Sequence, residues 1–360
     1  MNTLVRQARA DGPPITVLMS VYNGSRWVDD AIKSVLNQSF TDFEFIIVDD
    51  GSTDNSSEII DRYVANDDRL LLIKKENTGL THSLNIGLQG SHGKWIARID
   101  ADDICEPNRL EEQYQYALKH DHLVFIGSAL NIIDENGKIL KTNYYPDEGK
   151  RLLINLYSAR AFPAHSSAFF RADIANKIGG YRTRIKRAQD CDLWLRLSVH
   201  GKLGVVNVPL VRIRKHSSQI SHDDFGIRQK VDSRVAIVSY WLRHFGYQDP
   251  VLADNDEDFL RFRAWIAHQL KSDGYFELIK FVDSIQQTRL SQSNYFFKIK
   301  SLLNMFYRTP LITFRYLKFL ILGDRAPKIY AQRWATNFND CQNISVTKTC
   351  DTRTTQKKVD

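Results

Sequence analysis

The chain has 360 residues, is 43% hydrophobic and 25% charged, and carries a formal net charge of +7. That length buries a full core, and it fits one catalytic domain with a helical appendage better than a string of small modules. The basic balance allows nucleic acid, a membrane surface or an anionic substrate as partner. Residues 1–14 hold no apolar segment of signal-peptide type, and Cys105, Cys191, Cys341 and Cys350 show neither paired nor zinc-type spacing, so a reduced cytoplasmic setting is expected.

In chain order, residues 15–21 form an apolar run that ends in Tyr22-Asn23-Gly24 and gives way to an amphipathic segment, 26–38. Residues 43–48 read as a second buried strand, followed by Asp49-Asp50-Gly51-Ser52-Thr53-Asp54. Gly51 permits a tight turn there, and the Ser, Thr and Asp residues suit the N-cap of a helix through Glu58-Ile59-Ile60. Strand, polar turn and helix recur through 70–74 and 79–88. Residues 95–99 then form a buried strand that stops at three carboxylates, Asp100, Asp102 and Asp103.

Such alternation implies right-handed βαβ units and a parallel sheet. Ligands of these sheets bind beyond the carboxyl ends of the strands, where Ser20, Asp50 and Asp102 fall. Clustered carboxylates repel one another and call for a cation. Hard divalent ions take oxygen ligands, typically one or two carboxylates together with substrate phosphates. An isolated Asp-x-Asp reads most simply as a solvated turn. Three polar strand ends converging on one crevice point instead to a nucleotide site.

The ordered set Ser20-Val21-Tyr22-Asn23, Val48 to Asp54, Asn77-Thr78-Gly79-Leu80 and Asp100-Ala101-Asp102-Asp103 resembles the family 2 glycosyltransferases over roughly residues 14–220. The resemblance implies the GT-A fold, a nucleotide-binding, Rossmann-like, mostly parallel α/β sheet flanked by helices, here with a C-terminal helical extension. It implies that Asp50 meets the base edge with Ser20 beside it, that Asp100 faces the ribose or first phosphates, and that Asp102 binds Mn2+ or Mg2+ bridging to the diphosphate. Asn77, Gly79 and Asn85 either shape the loop or touch the donor.

Relatives carry their base in a Glu-Asp pair that opens a helix. Here the pair is Gln189-Asp190, a departure that leaves Asp190 as the general base and Asp192 as a competing or supporting acid. An ordinary Asp is ionised at neutral pH and so able to accept a proton. His165, in a segment that runs into a short strand and a helix at 171–178, falls on the acceptor side. Residues 211–221 resemble a closing loop whose His216 coordinates the metal or touches the diphosphate.

The implied reaction is an inverting displacement from a nucleotide-diphosphate sugar, UDP favoured, to a hydroxyl of a glycan or lipid-linked acceptor in bacterial surface-polysaccharide synthesis (capsule or lipopolysaccharide). Three other readings compete: a decayed sugar-nucleotide binder, a sugar nucleotidyltransferase and a nucleic-acid binder. The intact acids argue against the first, and Ser20 to Gly24 lacks the Gly-rich triphosphate loop of the second. The third would place exposed aromatics on a basic face, whereas here they cluster with apolar residues at helical spacing.

Beyond the catalytic region, 221–330 reads as helical. Between 291 and 330 seven basic residues alternate with aromatic ones, and no apolar run reaches the ~18 residues of a spanning helix. A basic amphipathic segment of this kind suits the inner surface of an anionic membrane. Residues 1–13 and 331–360 read as polar tails.

Overall fold

A computed structural model describes residues 12–146, 150–157, 162–216, 226–272 and 328–336. The chain divides into two compact units, residues 1–237 and 238–360.

The first unit opens with β1 (Ile15–Val21), α1 (Val28–Leu36), β2 (Phe43–Asp49), α2 (Ser56–Val64), β3 (Leu70–Lys74), α3 (Leu80–Gln89) and β4 (Trp95–Arg98). Period-two alternation sorts β1 cleanly. Ile15, Val17, Met19 and Val21 join one core with Val28, Ala31, Ile32 and Val35 of α1 and Ile60 of α2. Leu18 points to the other face, toward α3, where a Cβ on Gly87 would meet Leu18 Cδ1 at 2.2 Å. Glycine at that position is therefore what lets α3 lie so close to the sheet. Burial of each such aliphatic side chain is worth about 1.5–3 kcal/mol. A one-residue slip of β1 would expose all four to the wrong face, so register is firmly set.

The unit continues with β5 (Ile104–Cys105), α4 (Arg109–Lys119), β6 (Leu123–Ile133), β7 (Ile139–Asn143), α5 (Lys150–Tyr157), β8 (Phe169–Arg171), α6 (Ala172–Lys177), α7 (Gln189–Leu197) and β9 (Lys202–Arg214). Among the described residues the sheet has nine strands in the order β3-β2-β1-β4-β8-β6-β9-β5, with β7 paired to β6. Parallel pairing, as expected from the βαβ pattern, holds through β3-β2-β1-β4. The second half is mixed, because β8 runs antiparallel to both β4 and β6 while β6 and β9 are parallel. Residues 211–214, read from sequence as part of a loop, are the last residues of β9 and pair with β6 and β5. Backbone pairing on both sides keeps them in the sheet despite Arg212 and Arg214.

A long helix, α8 (Ile227–His244), runs from the first unit into the second, followed by α9 (Asp256–Ser272) and a helix at 328–336. Within the second unit, Trp334 packs on Phe262 and Trp265, and Lys328 lies over Trp241. Residues 331–336, placed by sequence in a polar tail, are helical with Ala331, Trp334 and Ala335 buried. Aromatic packing overrides the polarity of the surrounding stretch. Residues 1–11 and 337–360, most of the tails, and 291–327, nearly all of the basic aromatic segment, lie outside the described residues. Among the described residues no helix is long and apolar enough to cross a membrane.

Candidate active site

The loops after β1 and β2 are knitted together by side-chain acceptors. Asn23, in the left-handed region at φ 50°, accepts from Thr53 N–H through Oδ1 at 2.8 Å. Ser56 Oγ and Asp54 Oδ2 accept from the N–H groups of Gly24 at 2.8 Å and Ser25 at 3.0 Å. Burial opposes ionisation of Asp54, but Ser56 and Ser25 outweigh it and bring its pKa to about 2. Asp49 accepts from Ser52 N–H at 2.9 Å and from Ser57 Oγ at 2.6 Å.

Asp50, just past β2, is buried, and both of its oxygens are engaged. They accept from the N–H groups of Thr78 and Gly79 at 2.9 Å each, and Lys75 pairs with Oδ1. Burial alone would raise this carboxyl. Lys75 and the two amides hold it below the ordinary value. The loop between β3 and α3 is thereby tied to the end of β2. Ser20 lies on the neighbouring strand, opposite Val48.

At the end of β4 the carboxylates behave differently. Asp100, Asp102 and Asp103 each offer an oxygen within 4.8 Å of the others. Asp103 is buried and accepts from Arg214 N–H at 3.0 Å. Burial first, then Asp102 and Asp100, push its pKa well above the usual carboxylate range. Burial and then Asp100 push Asp102 up as well, against the pull of His216, whose Nε2 lies 2.8 Å from Asp102 Oδ2. Burial opposes ionisation of Asp100 too, but there the Arg98 guanidinium, ion-paired with it, wins and lowers the pKa. Ser166 Oγ bridges Asp100 and Asp103 and accepts from Asp100 N–H at 3.1 Å.

Beneath the cluster, Arg109 donates to the carbonyls of Arg98 at 2.7 Å and Ala168 at 3.2 Å, which fixes the strand end from below. Arg214, at the end of β9, donates to the carbonyls of Asp102 at 3.2 Å and Glu135 at 3.0 Å and stacks over Trp27. His216 follows it, which is how the sheet delivers an imidazole to Asp102.

Asp190 opens α7. Burial raises its pKa; the N–H of Cys191, at 2.7 Å, and the Arg98 charge work against that, and Asp100 adds to it. Asp190, Arg98 and Asp100 thus act on one another, so the folded chain unites acids about ninety positions apart in sequence. Asp192 is fully buried and committed to Arg196 Nε at 2.8 Å and Arg182 Nη1 at 3.5 Å. His165 is buried, with Nε2 2.9 Å from the Tyr181 hydroxyl and its ring against Trp194 of α7. Burial, then Arg98, lower its pKa well below the ordinary value, so it is neutral at physiological pH.

The sequence reading passed over Arg98, Ser166, Lys75, Arg109 and Tyr181. Arg98 was readable in principle, since a charge inside a buried strand requires a partner. Ser166 was not, because nothing local ties a serine to acids more than sixty residues away.

Comparison with known proteins follows the same lines. Residues 16–179 match the family described as Glycosyl transferase family 2. The putative glycosyltransferase EpsE of Bacillus subtilis (strain 168) is 34% identical over 59% of this chain and 77% of its own length. This chain belongs to glycosyl transferase family 2. The O-antigen biosynthesis glycosyltransferase WbnJ of Escherichia coli is 34% identical over 51% of this chain and 71% of its own. Among solved structures, S. aureus TarS 1-349 in complex with UDP-GlcNAc superposes with a TM-score of 0.56 at 17% identity, covering 89% of each chain. That likeness places the fold among the GT-A glycosyltransferases.

Proposed function

We propose that this glycosyltransferase moves a sugar from a nucleoside-diphosphate donor, a UDP-sugar, to a hydroxyl of a glycan or lipid-linked acceptor, with inversion and with a divalent metal ion. The observation that carries the reading is the contrast among the acids. Asp103 is buried and Asp102 half-buried, both are raised and repel each other, and Asp190 sits within electrostatic reach of the same cluster.

The donor set fits a hard divalent ion. It is three carboxylate groups crowded together with an imidazole at Asp102, the ligand chemistry of Mg2+ or Mn2+. Asp102 with Asp100 and Asp103 would hold the ion, with His216 as the nitrogen ligand. A divalent ion there would supply Lewis acidity toward the leaving diphosphate. Asp50 and Ser20 serve the base end of the donor, and Asp100 the ribose or first phosphates. UDP is favoured because TarS, of the same fold, was solved with UDP-GlcNAc.

Asp190 takes the proton of the acceptor hydroxyl as that oxygen attacks the anomeric carbon. The bond from that carbon to the diphosphate oxygen breaks on the opposite face, and its electron pair leaves with the nucleoside diphosphate. No covalent enzyme intermediate is needed. His165, neutral and held by Tyr181, forms part of the acceptor-side wall, and Asp192 steadies α7 through Arg196. Surface-polysaccharide assembly at the inner face of the cytoplasmic membrane is the setting, in keeping with WbnJ, whose name assigns it to O-antigen biosynthesis.

The test is product analysis. The chain is incubated with a panel of UDP- and GDP-sugars, Mn2+ and glycan or lipid-linked acceptors, and product anomers are read by NMR. An inverted glycoside formed only with metal supports the proposal. Turnover that persists in chelator, or a retained anomer, overturns the metal or the stereochemical part.

A further inference from the structure

Asp50 follows β2 and Asp190 opens α7, and one short loop between α6 and α7 is gripped by α3 on one side and α7 on the other. α3 starts at the loop whose amides hold Asp50. From the middle of α3, Asn85 reaches Tyr181, ninety-six positions away: Oδ1 accepts from Tyr181 N–H at 2.7 Å and Nδ2 donates to its carbonyl at 2.8 Å. One side chain thus meets both polar groups of a residue outside any strand, the pairing a neighbouring strand would offer. Gly180 has φ 64°, and a Cβ there would lie 2.5 Å from Asn85 Oδ1, so glycine is required for the approach.

The other side of the loop belongs to α7. Arg196, anchored on Asp192, donates to the carbonyls of Ile178 at 3.0 Å and Gly180 at 2.6 Å. Asp190 opens this same helix. Tyr181 in turn holds His165, and the next residue, Ser166, bridges Asp100 and Asp103. Donor loop, acid cluster and the Asp190 helix therefore share one mechanical junction at 178–181.

We propose that Asn85 is a positioning residue: through this loop it fixes Asp190 against the donor end, so it governs the transfer step and leaves nucleotide binding alone. The proposal rests on Asp190 being the base. A displacement of about 1 Å at a reacting group costs on the order of a hundredfold in rate, which sets the scale for losing the tie. The side chain itself carries no charge and touches none of the acids.

The experiment uses the full chain, with UDP and Mn2+ for calorimetric binding and UDP release from the best UDP-sugar of a panel for turnover. N85A keeps its UDP affinity within about twofold and loses about 10- to 100-fold in turnover. In a D190N background, N85A adds no further loss, because the tie acts through Asp190. N85D keeps the acceptor for Tyr181 N–H and loses the donor, so it falls between, and it stands in should N85A not fold. Weakened UDP binding in step with turnover, unchanged turnover, or losses that multiply with D190N would each overturn the proposal. A wild type that neither binds UDP nor releases it from any sugar overturns the functional reading itself, an outcome distinct from failure of the variant alone.

Discussion

Two groups of aspartates, about fifty positions apart, follow β2 and β4, the strands on either side of β1, and meet opposite fates. Asp49, Asp50 and Asp54 are satisfied by the protein itself, through loop amides, serine hydroxyls and Lys75. Asp50 and Asp54 are correspondingly stabilised as anions. Asp102 and Asp103 receive less than they need, and burial with mutual repulsion pushes both up. The first group builds a rigid cradle, and the second is the one proposed to take up a divalent ion. Stability is spent at the second, as functional sites commonly require.

The sharpest break of this comparison lies at Asp190, the proposed base. D190N should reduce transfer by about 10²- to 10⁴-fold, the contribution of a positioned proton acceptor, while UDP affinity measured by calorimetry with Mn2+ is unchanged. Because burial raises Asp190, the wild-type rate should decline as pH falls through a value above the ordinary ~3.9 of aspartate. Activity is present above that raised pKa and lost below it, and a rate profile from pH 4 to 8 checks the sign.

Next in size is the buried pair that steadies α7. R196M removes the closer of the two ion-pair partners that Asp192 has among the described residues, and uncovering one partner of a buried pair costs about 3–5 kcal/mol. Denaturant unfolding measures it.

The two aspartate groups should then respond to neutralisation with opposite signs. D102N relieves repulsion and should raise the melting temperature of the metal-free protein by about 2–4 °C for each kcal/mol gained, while D54A should lower it by a similar amount. The same sign for both would break the comparison. The smallest effect belongs to R26A, whose ion pair with Glu135 is 64% and 39% exposed, and which should cost no more than about 1 kcal/mol.

The first half of the fold was legible because each strand, turn and helix there is local. The apolar run places Ile15 to Val21, and Gly51 with its polar neighbours announces the turn into α2. Asp50, Asp102 and Asp190 could be singled out because acids at strand ends and helix starts stand out against apolar runs. The pairing of β6 with β9 joins residues as far apart as Leu123 and Lys202 and no local motif marks it, whereas the β6–β7 hairpin is local and its Asn136-Gly137 turn was readable though not assigned. The supports of the site were hidden for the same reason. Asn85 contacting Tyr181 and Ser166 bridging two acids are products of topology, and no spacing in the chain encodes them.

The central claim is that the Asp100, Asp102 and Asp103 cluster holds a divalent ion together with the donor diphosphate. Calorimetric titration of UDP into wild type and D102N, each with Mn2+ and with chelator, tests it most directly. The account predicts firm binding only for wild type with Mn2+, and loss of that binding in D102N or chelator. UDP bound equally well in all four conditions would contradict it.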